Sequence, residues 1–253
     1  MSMLQVDGLK RSFGGLVAVR DVTFDVNEGD FLGLIGPNGA GKTTLFNVIS
    51  GVLRPSAGTV RFRGRDISGQ PANQTVRQGL SRTFQAATIY PETTVIDNVS
   101  RGTLGAGLTS LWGGVLSNKW RVAAEEKALH MLDLLGLTRR VDLKARELSY
   151  GEQRRLGVAI ALASDPRLLM LDEPVAGLNP EEAAELASVL RRVKAERGVT
   201  MVMVEHHMRT VMGLCNRVVV LDHGTLIAQG TPADVVSNPV VIEAYLGKEA
   251  VHA

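Results

Sequence analysis

The chain has 253 residues, 45% hydrophobic and 21% charged, which suits one large α/β domain or a domain with a lobe and excludes a multi-domain array. Its net charge of +2 is spread over intermixed acids and bases, so it lacks the basic footprint of a DNA-binding protein. Aromatic residues make up 4%, too few for the stacking platforms that hold single-stranded nucleic acid.

The N-terminal stretch MSMLQVDGLKRSF has no apolar run of signal-peptide length. Residues 3–35 predict short strands in MLQVDGL, AVRDVTFDV and FLGLI. FLGLI runs into GPNGAGKT, Gly36 to Thr43, which fits the phosphate-loop pattern G-x-x-x-x-G-K-[ST]. The chemistry needs these residue types at this spacing. Glycines let successive backbone N–H groups turn inward on phosphate oxygens. A helix over TLFNVISGVL aims its positive end at the same charge. Lys42 then reaches the β and γ phosphates, and the Thr43 hydroxyl can ligate Mg²⁺. A buried strand before the loop and a helix after it favour this reading over a plain Gly-rich turn.

TVRFRGRDI is a further strand, and residues 73–80 and 94–106 read as helical. SLWGGVLSNKW, broken by Gly, Ser and Asn, predicts a surface excursion. AAEEKALHMLDLLGL carries apolar residues at i, i+3, i+4 and i+7 and predicts an amphipathic helix. The helical middle, about 100–165, reads as a lobe inserted into a sheet domain whose core is about 1–99 and 166–253, within one domain over 1–253. From residue 148 onward helices (150–164, 180–196) alternate with buried strands (168–172, 200–204). That alternation implies a mostly parallel sheet covered on both faces. RVVVLDHGTLIAQG predicts a hairpin turned at Asp222–Gly224, and VIEAYLG a short C-terminal helix. The lone cysteine, Cys215, allows no internal disulfide, points to a reducing compartment and reads as a small buried hydrophobe. No stretch approaches the ~20 apolar residues of a membrane span, so the expectation is a soluble chain, free to bind a membrane protein.

LLMLDEP places Asp172 and Glu173 at the end of an apolar strand. In a phosphate-loop protein a carboxylate must hold the metal, and Asp172 fits that role through water. Glu173 is then placed to polarise the attacking water as general base. Twenty residues earlier, in LSYGEQRRL, Ser149 and Glu152 form the capping box of a helix N-terminus. That is locally sufficient, yet a helix start with a serine hydroxyl and the Gly151 N–H is also an anion site. One anion site already exists in the phosphate loop, so a second makes sense if it serves the nucleotide of another copy.

GPNGAGKTT, RTFQ, LSYGEQRRL, LLMLDEP, AGLN and VEHH occur together in the order found in ABC transporter ATP-binding subunits, and span residues from about 3 to 230. RTFQ followed by TVIDNV, LSYGEQRRL, AGLNP and the terminal NPVVIEAYLGKE resemble most the ATPase subunits of branched-chain amino acid importers. The resemblance implies an ABC ATPase fold: a mostly parallel core sheet, an antiparallel β subdomain and the inserted α-helical lobe. It implies two ATPase subunits packed head to tail, identical or heteromeric, with ATP and Mg²⁺ between one subunit's phosphate loop (Asn38, Gly39, Ala40, Gly41, Lys42, Thr43, Thr44) and the other's signature turn (Ser149, Tyr150, Gly151, Glu152). Phe13 matches the aromatic that stacks on adenine, although a core phenylalanine would look the same. Gln85 matches the residue that senses Mg²⁺ and the γ-phosphate, and His206 the switch histidine that holds the γ-phosphate and Glu173 in register. His207 reads as a satisfied structural residue. The chain departs from the common pattern at Tyr150, where many relatives have glycine, at Glu152 in place of glutamine, and at Asn179 in place of aspartate.

The function so implied is that of the energising ATPase of an importer for branched-chain amino acids or related small solutes. Its partners are transmembrane permease subunits and, indirectly, a solute-binding protein; its place is cytoplasmic, on the inner face of the membrane, with no nucleic acid expected. The alternative is a soluble ABC ATPase acting on the ribosome or DNA. Against it, Thr44 to Leu148 has no sustained heptads for a coiled coil, and the chain carries one cassette without basic linkers.

Overall fold

Apolar residues alternating with polar ones in stretches such as Leu4–Val6 and Val22–Val26 bury one face, and the first two strands form a long antiparallel pair with several shifts of register. The computed structural model describes residues 2–83, 89–104 and 118–246. The strands are β1 (Ser2–Phe13), β2 (Leu16–Asn27), β3 (Phe31–Ile35), β4 (Ala57–Phe62), β5 (Arg65–Asp66), β6 (Leu80–Arg82), β7 (Leu168–Asp172), β8 (Thr200–Val204), β9 (Arg217–Asp222) and β10 (Thr225–Gly230). The helices are α1 (Lys42–Ile49), α2 (Ala72–Arg77), α3 (Val95–Leu104), α4 (Asn118–Leu134), α5 (Tyr150–Leu162), α6 (Pro180–Arg197), α7 (Met208–Leu214), α8 (Pro232–Val236) and α9 (Pro239–Leu246). The chain divides into two units: Met1–Thr75 with Met170–Glu173 and Thr200–Ala253, and Val76–Leu169 with Pro174–Val199.

The first unit holds two sheets. One is antiparallel, in the order β2-β1-β4-β5. The other has the order β10-β9-β3-β8-β7, with β3 parallel to both β8 and β9 and β10 antiparallel to β9. Every residue of β3 and β8 is buried, the run of apolar side chains expected of strands covered on both faces. Where β3 begins, Asp30 is 7% exposed and accepts the N–H of Asn27 (2.8 Å), the Asn216 amide (3.0 Å) and an Arg217 N–H (3.0 Å). Burial opposes the charge, but these donors outweigh it and hold the Asp30 carboxyl below the usual range. Cys215 is buried as expected; a Cβ added at Gly33 on β3 would lie 3.1 Å from its sulfur.

The second unit is mainly helical. Helix α3 packs on α4 and α5, and β6 lies beside the start of β7, with the Arg167 and Leu168 N–H groups both donating to the Gly79 carbonyl. The α/β class and the two kinds of sheet match the sequence reading. Several boundaries differ. Helix α1 ends at Ile49, short of Leu53, because Gly51 turns the chain at φ +78, where a Cβ would sit 2.3 Å from the Gln70 carbonyl. Helix α2 ends at Arg77, and the chain turns at Gly79 into β6, a three-residue strand too short to show a period. Helix α4 starts earlier than expected, at Asn118. SLWGGVLSNKW lies mostly outside the described residues. Helix α7 carries no capping side chain, which is why the sequence reading passed over it.

Candidate nucleotide site and signature turn

Strand β3 delivers the chain into the loop that the sequence singled out. Gly36 leaves the strand at φ 150, and a Cβ there would lie 2.0 Å from the Leu221 carbonyl. Gly41, at φ +94, could carry none either: it would meet the Ala18 carbonyl at 2.3 Å. The loop therefore lies flat against its neighbours only as glycine. Gly41 is also the N-cap of α1, and no side chain caps that end, so the first-turn amides are left for a ligand. Lys42 is 8% exposed; its Nζ donates to the carbonyls of Gly36 (2.7 Å) and Pro37 (2.9 Å), arching the loop. Burial pushes the Lys42 pKa down, and the nearby negative charge of Glu173 acts in the opposite sense.

A cavity of about 500 Å³ opens over this loop. Its walls are Phe13, Leu16, Val17, Ala18, Arg20, the run Asn38–Thr44, Glu173 and the turn His223–Gly224. Phe13 is 43% exposed, so it is no core residue; the Arg11 guanidinium lies 4.5 Å over its ring. The structure thus brings Phe13, Asn38, Gly39, Ala40, Gly41, Lys42, Thr43, Thr44 and Glu173 to one cavity. Glu173 adopts φ +46, a left-handed bend unusual for a residue with a side chain, and its N–H donates to the Val204 carbonyl at 3.0 Å. Asp172, before it, ends β7 and is 4% exposed.

Val204 leads to the fully buried Glu205, whose carboxylate accepts the N–H groups of His206 (3.1 Å) and His207 (3.3 Å). His206 therefore follows the strand next to Glu173, though it is not among the residues lining the cavity. His207, expected to be satisfied internally, is exposed, with its ring edge-on to His206 at 5.1 Å. Gln85 lies outside the described residues. Thr43 and Asp172 offer hard oxygen donors, the ligand type Mg²⁺ takes. Among the described residues no cluster of three His, Cys, Asp or Glu could hold a metal. That suits an ion that draws its remaining ligands from phosphate and water.

Three features in or beside the site carry little signal in the sequence. His223, at φ +45, and Gly224 form the hairpin turn that walls the cavity; the Gly224 N–H donates to the Ala40 carbonyl and its carbonyl accepts the Arg20 N–H. The only advance signal was the turn itself. Glu205 carries no signal in the sequence beyond its place before the two histidines. Tyr245, on α9, is pushed up by burial, while a hydrogen bond from the Gly36 backbone works the other way; nothing in the sequence joins positions so far apart.

In the second unit the signature turn is built as its residues dictate. The Ser149 side chain accepts the Glu152 N–H (3.2 Å) and the Glu152 carboxylate accepts the Ser149 N–H (2.9 Å), the reciprocal cap of α5. Burial opposes the Glu152 charge, but Arg140 Nε at 2.8 Å and the Ser149 groups hold its carboxyl below the usual range. Ser149 and Tyr150 are exposed and Gly151 is buried. Asn179 caps α6 in the same reciprocal way, with Glu182.

Set beside known proteins, residues 19–176 match the ABC transporter family, and residues 225–251 match a second family described as branched-chain amino acid ATP-binding cassette transporter. The chain is 41% identical over 250 residues to the high-affinity branched-chain amino acid transport ATP-binding protein LivG of Salmonella typhimurium, covering 97% of this chain and 98% of that one. It is also 36% identical to the lipopolysaccharide export system ATP-binding protein LptB of Acidithiobacillus ferridurans, covering 98% of both. Among solved structures, the ADP conformation of MJ1267, an ATP-binding cassette of an ABC transporter, superposes with a TM-score of 0.87 at 32% identity, over 98% of this chain and all of that one.

Proposed function

The chain belongs to the ABC transporter family, and from that premise we propose that it is the ATP-hydrolysing subunit that energises an importer of branched-chain amino acids or related small solutes. The observation that carries this reading is the single cavity joining the phosphate loop, exposed Phe13 and Glu173. The likeness to LivG and the match over residues 225–251 favour the import branch. The likeness to LptB, an ATP-binding protein of a lipopolysaccharide export system, fits a cassette whose cargo is chosen by its partners.

The chemistry follows from the residues. Phe13 stacks on the adenine, and the amides of Asn38–Thr44 with Lys42 hold the phosphates. Thr43 and, through water, Asp172 would hold Mg²⁺, with Gln85 as a further ligand. When bound, that ion neutralises charge on the phosphate oxygens. Glu173 takes a proton from the water that attacks the γ-phosphorus. The bond from that phosphorus to its bridging oxygen breaks, and ADP and inorganic phosphate leave. His206, directed by Glu205, holds the γ-phosphate against Glu173. Ser149, Tyr150, Gly151 and Glu152 serve the nucleotide of a second ATPase subunit, identical or a sister chain. ATP bound between the two closes them. Complete switching takes a preference of about 5.5 kcal/mol for the closed state, within reach of two bridging triphosphates. The helical lobe, about 100–165, with the segment after Gln85, receives the cytoplasmic helix of a permease.

Among the described residues no helix is long and apolar enough to cross a membrane; in this reading the permease partners hold the chain at the membrane. The test is a mild-detergent pull-down from native membranes with mass spectrometry. Two polytopic membrane proteins and a second ATPase are expected. A ribosomal or DNA-associated catch without a membrane protein would overturn the importer reading and leave the ATPase chemistry standing.

A further inference from the structure

The signature turn carries a tyrosine, Tyr150, and the structure shows where that ring goes. Tyr150 is 48% exposed, yet one face of it lies on the loop Ala176–Gly177, twenty-six residues along the chain. A Cβ added at Gly177 would stand 3.1 Å from Tyr150 Cε1 and 3.3 Å from its hydroxyl, so a side chain here would press on the ring, and the left-handed φ of +78 itself favours glycine. The Tyr150 hydroxyl donates to the Ala176 carbonyl at 3.4 Å. One turn on, Arg154 lays its guanidinium 4.9 Å over the ring, donates to the Tyr150 hydroxyl and reaches the same Ala176 carbonyl at 3.4 Å. A second key lies beside the first. A Cβ at Gly151 would stand 3.1 Å from Glu182 Oε1, and Glu182 is the residue that caps α6 with Asn179. The signature turn thus meets the 176–177 loop where Tyr150 lies on Gly177, and the first turn of α6 where Glu182 lies beside Gly151.

We propose that Tyr150, with Arg154, is a positioning residue that locks the signature turn to the 176–177 loop, so that the turn and the loop leading away from Glu173 move as one body. This rests on the nucleotide-site reading above. Ser149 and Gly151 then feel the γ-phosphate held by the partner subunit, whereas Glu173 acts on the chain's own nucleotide. Glu173 lies three residues before Ala176 in the chain. A rigid Tyr150–Gly177 contact transmits occupancy at one site into the geometry of the other, and this is a coupling free energy between two sites. Contiguity alone does not establish such coupling; a measured interaction does.

The experiment is a double-mutant cycle of Tyr150→Ala and Gly177→Ala, read twice on the full chain. The first readout is thermal unfolding without nucleotide, which depends on no partner. Gly177→Ala carries both a left-handed strain and a clash with the ring; removing the ring leaves the strain alone. The loss in Tm caused by Gly177→Ala is therefore at least halved in the Tyr150→Ala background. Additive losses overturn the lock. The second readout is Mg·ATP turnover against ATP concentration. Tyr150→Ala lowers kcat and drives the Hill coefficient to 1, the loss of a coupling that typically amounts to about 5–150-fold in affinity. Binding of a fluorescent ATP analogue to the chain's own phosphate loop stays unchanged. Tyr150→Phe, which keeps the ring on Gly177, recovers most of the cooperativity. A Tyr150→Ala chain that keeps wild-type kcat and Hill coefficient overturns the transmission, as does a wild-type chain that turns over without cooperativity. In the latter case the nucleotide-site reading fails as well, and the thermal cycle still decides the lock by itself.

Discussion

Glu173 shows at the scale of one residue how backbone and chemistry meet. A side chain at φ +46 costs of order 1 kcal/mol and persists because the Val204 carbonyl takes its N–H. The bend turns the carboxylate away from the strand's own alternation and into the cavity wall. Glu173→Gln keeps the size and loses the base, so turnover is expected to fall by ~10²–10⁴ while ATP still binds. Sedimentation of this variant with Mg·ATP should show a trapped dimer; a monomer at every concentration would sink the two-subunit site. Ser149 makes the complementary case. Ser149→Arg puts a bulky cation at the signature turn, and turnover should vanish while ATP affinity at the chain's own loop is retained. Parallel loss of both, measured by nucleotide binding and phosphate release, would place Ser149 in the wrong site.

At the scale of elements, caps and anchors decide what packing alone leaves open. Helices α5 and α6 both start with reciprocal caps, Ser149 with Glu152 and Asn179 with Glu182, and each such cap is worth about 1 kcal/mol. Asp30 ties the entry of β3 to the start of β9 through Asn216 and Arg217. Because its folded pKa is depressed, Asp30 contributes stability that is fully present above the ordinary carboxylate pKa of about 3.9 and lost as pH falls through the lower folded value. Asp30→Ala should therefore cost about 2 kcal/mol near neutrality. The gap from wild type should narrow as pH drops below about 4, read by urea unfolding across pH. A gap independent of pH would mean that lost packing, not charge, is the cause.

At the scale of the molecule, chelating divalent cations with EDTA should stop turnover, and Mg²⁺ should restore it, since the proposed ligands Thr43 and Asp172 offer oxygen donors that suit a hard cation. Turnover undiminished in EDTA would remove both residues from their metal role. The legibility of the site divides along physical lines. The phosphate loop was plain in the sequence because each residue type there answers a local demand: no Cβ at Gly36 and Gly41, a cation at 42, a hydroxyl at 43. Strands β3, β7 and β8 were equally plain, being short apolar runs with turn residues at their ends. Strand β6 and helix α7 were missed because a few residues without caps carry no period.

By itself the sequence determined the class of fold, the phosphate loop, the paired acids and the caps, since each depends on residues within a few positions of one another. The tertiary structure alone decided which distant groups share a wall. It set the exposure of Phe13, which the sequence left open between core and cavity. It placed His223 and Gly224 against the loop and Tyr245 against Gly36. It also seated the Tyr150 ring on Gly177. These contacts are made across tens to just over two hundred intervening residues, and no local propensity or periodicity reports a distance between elements that meet only when the sheets and helices pack.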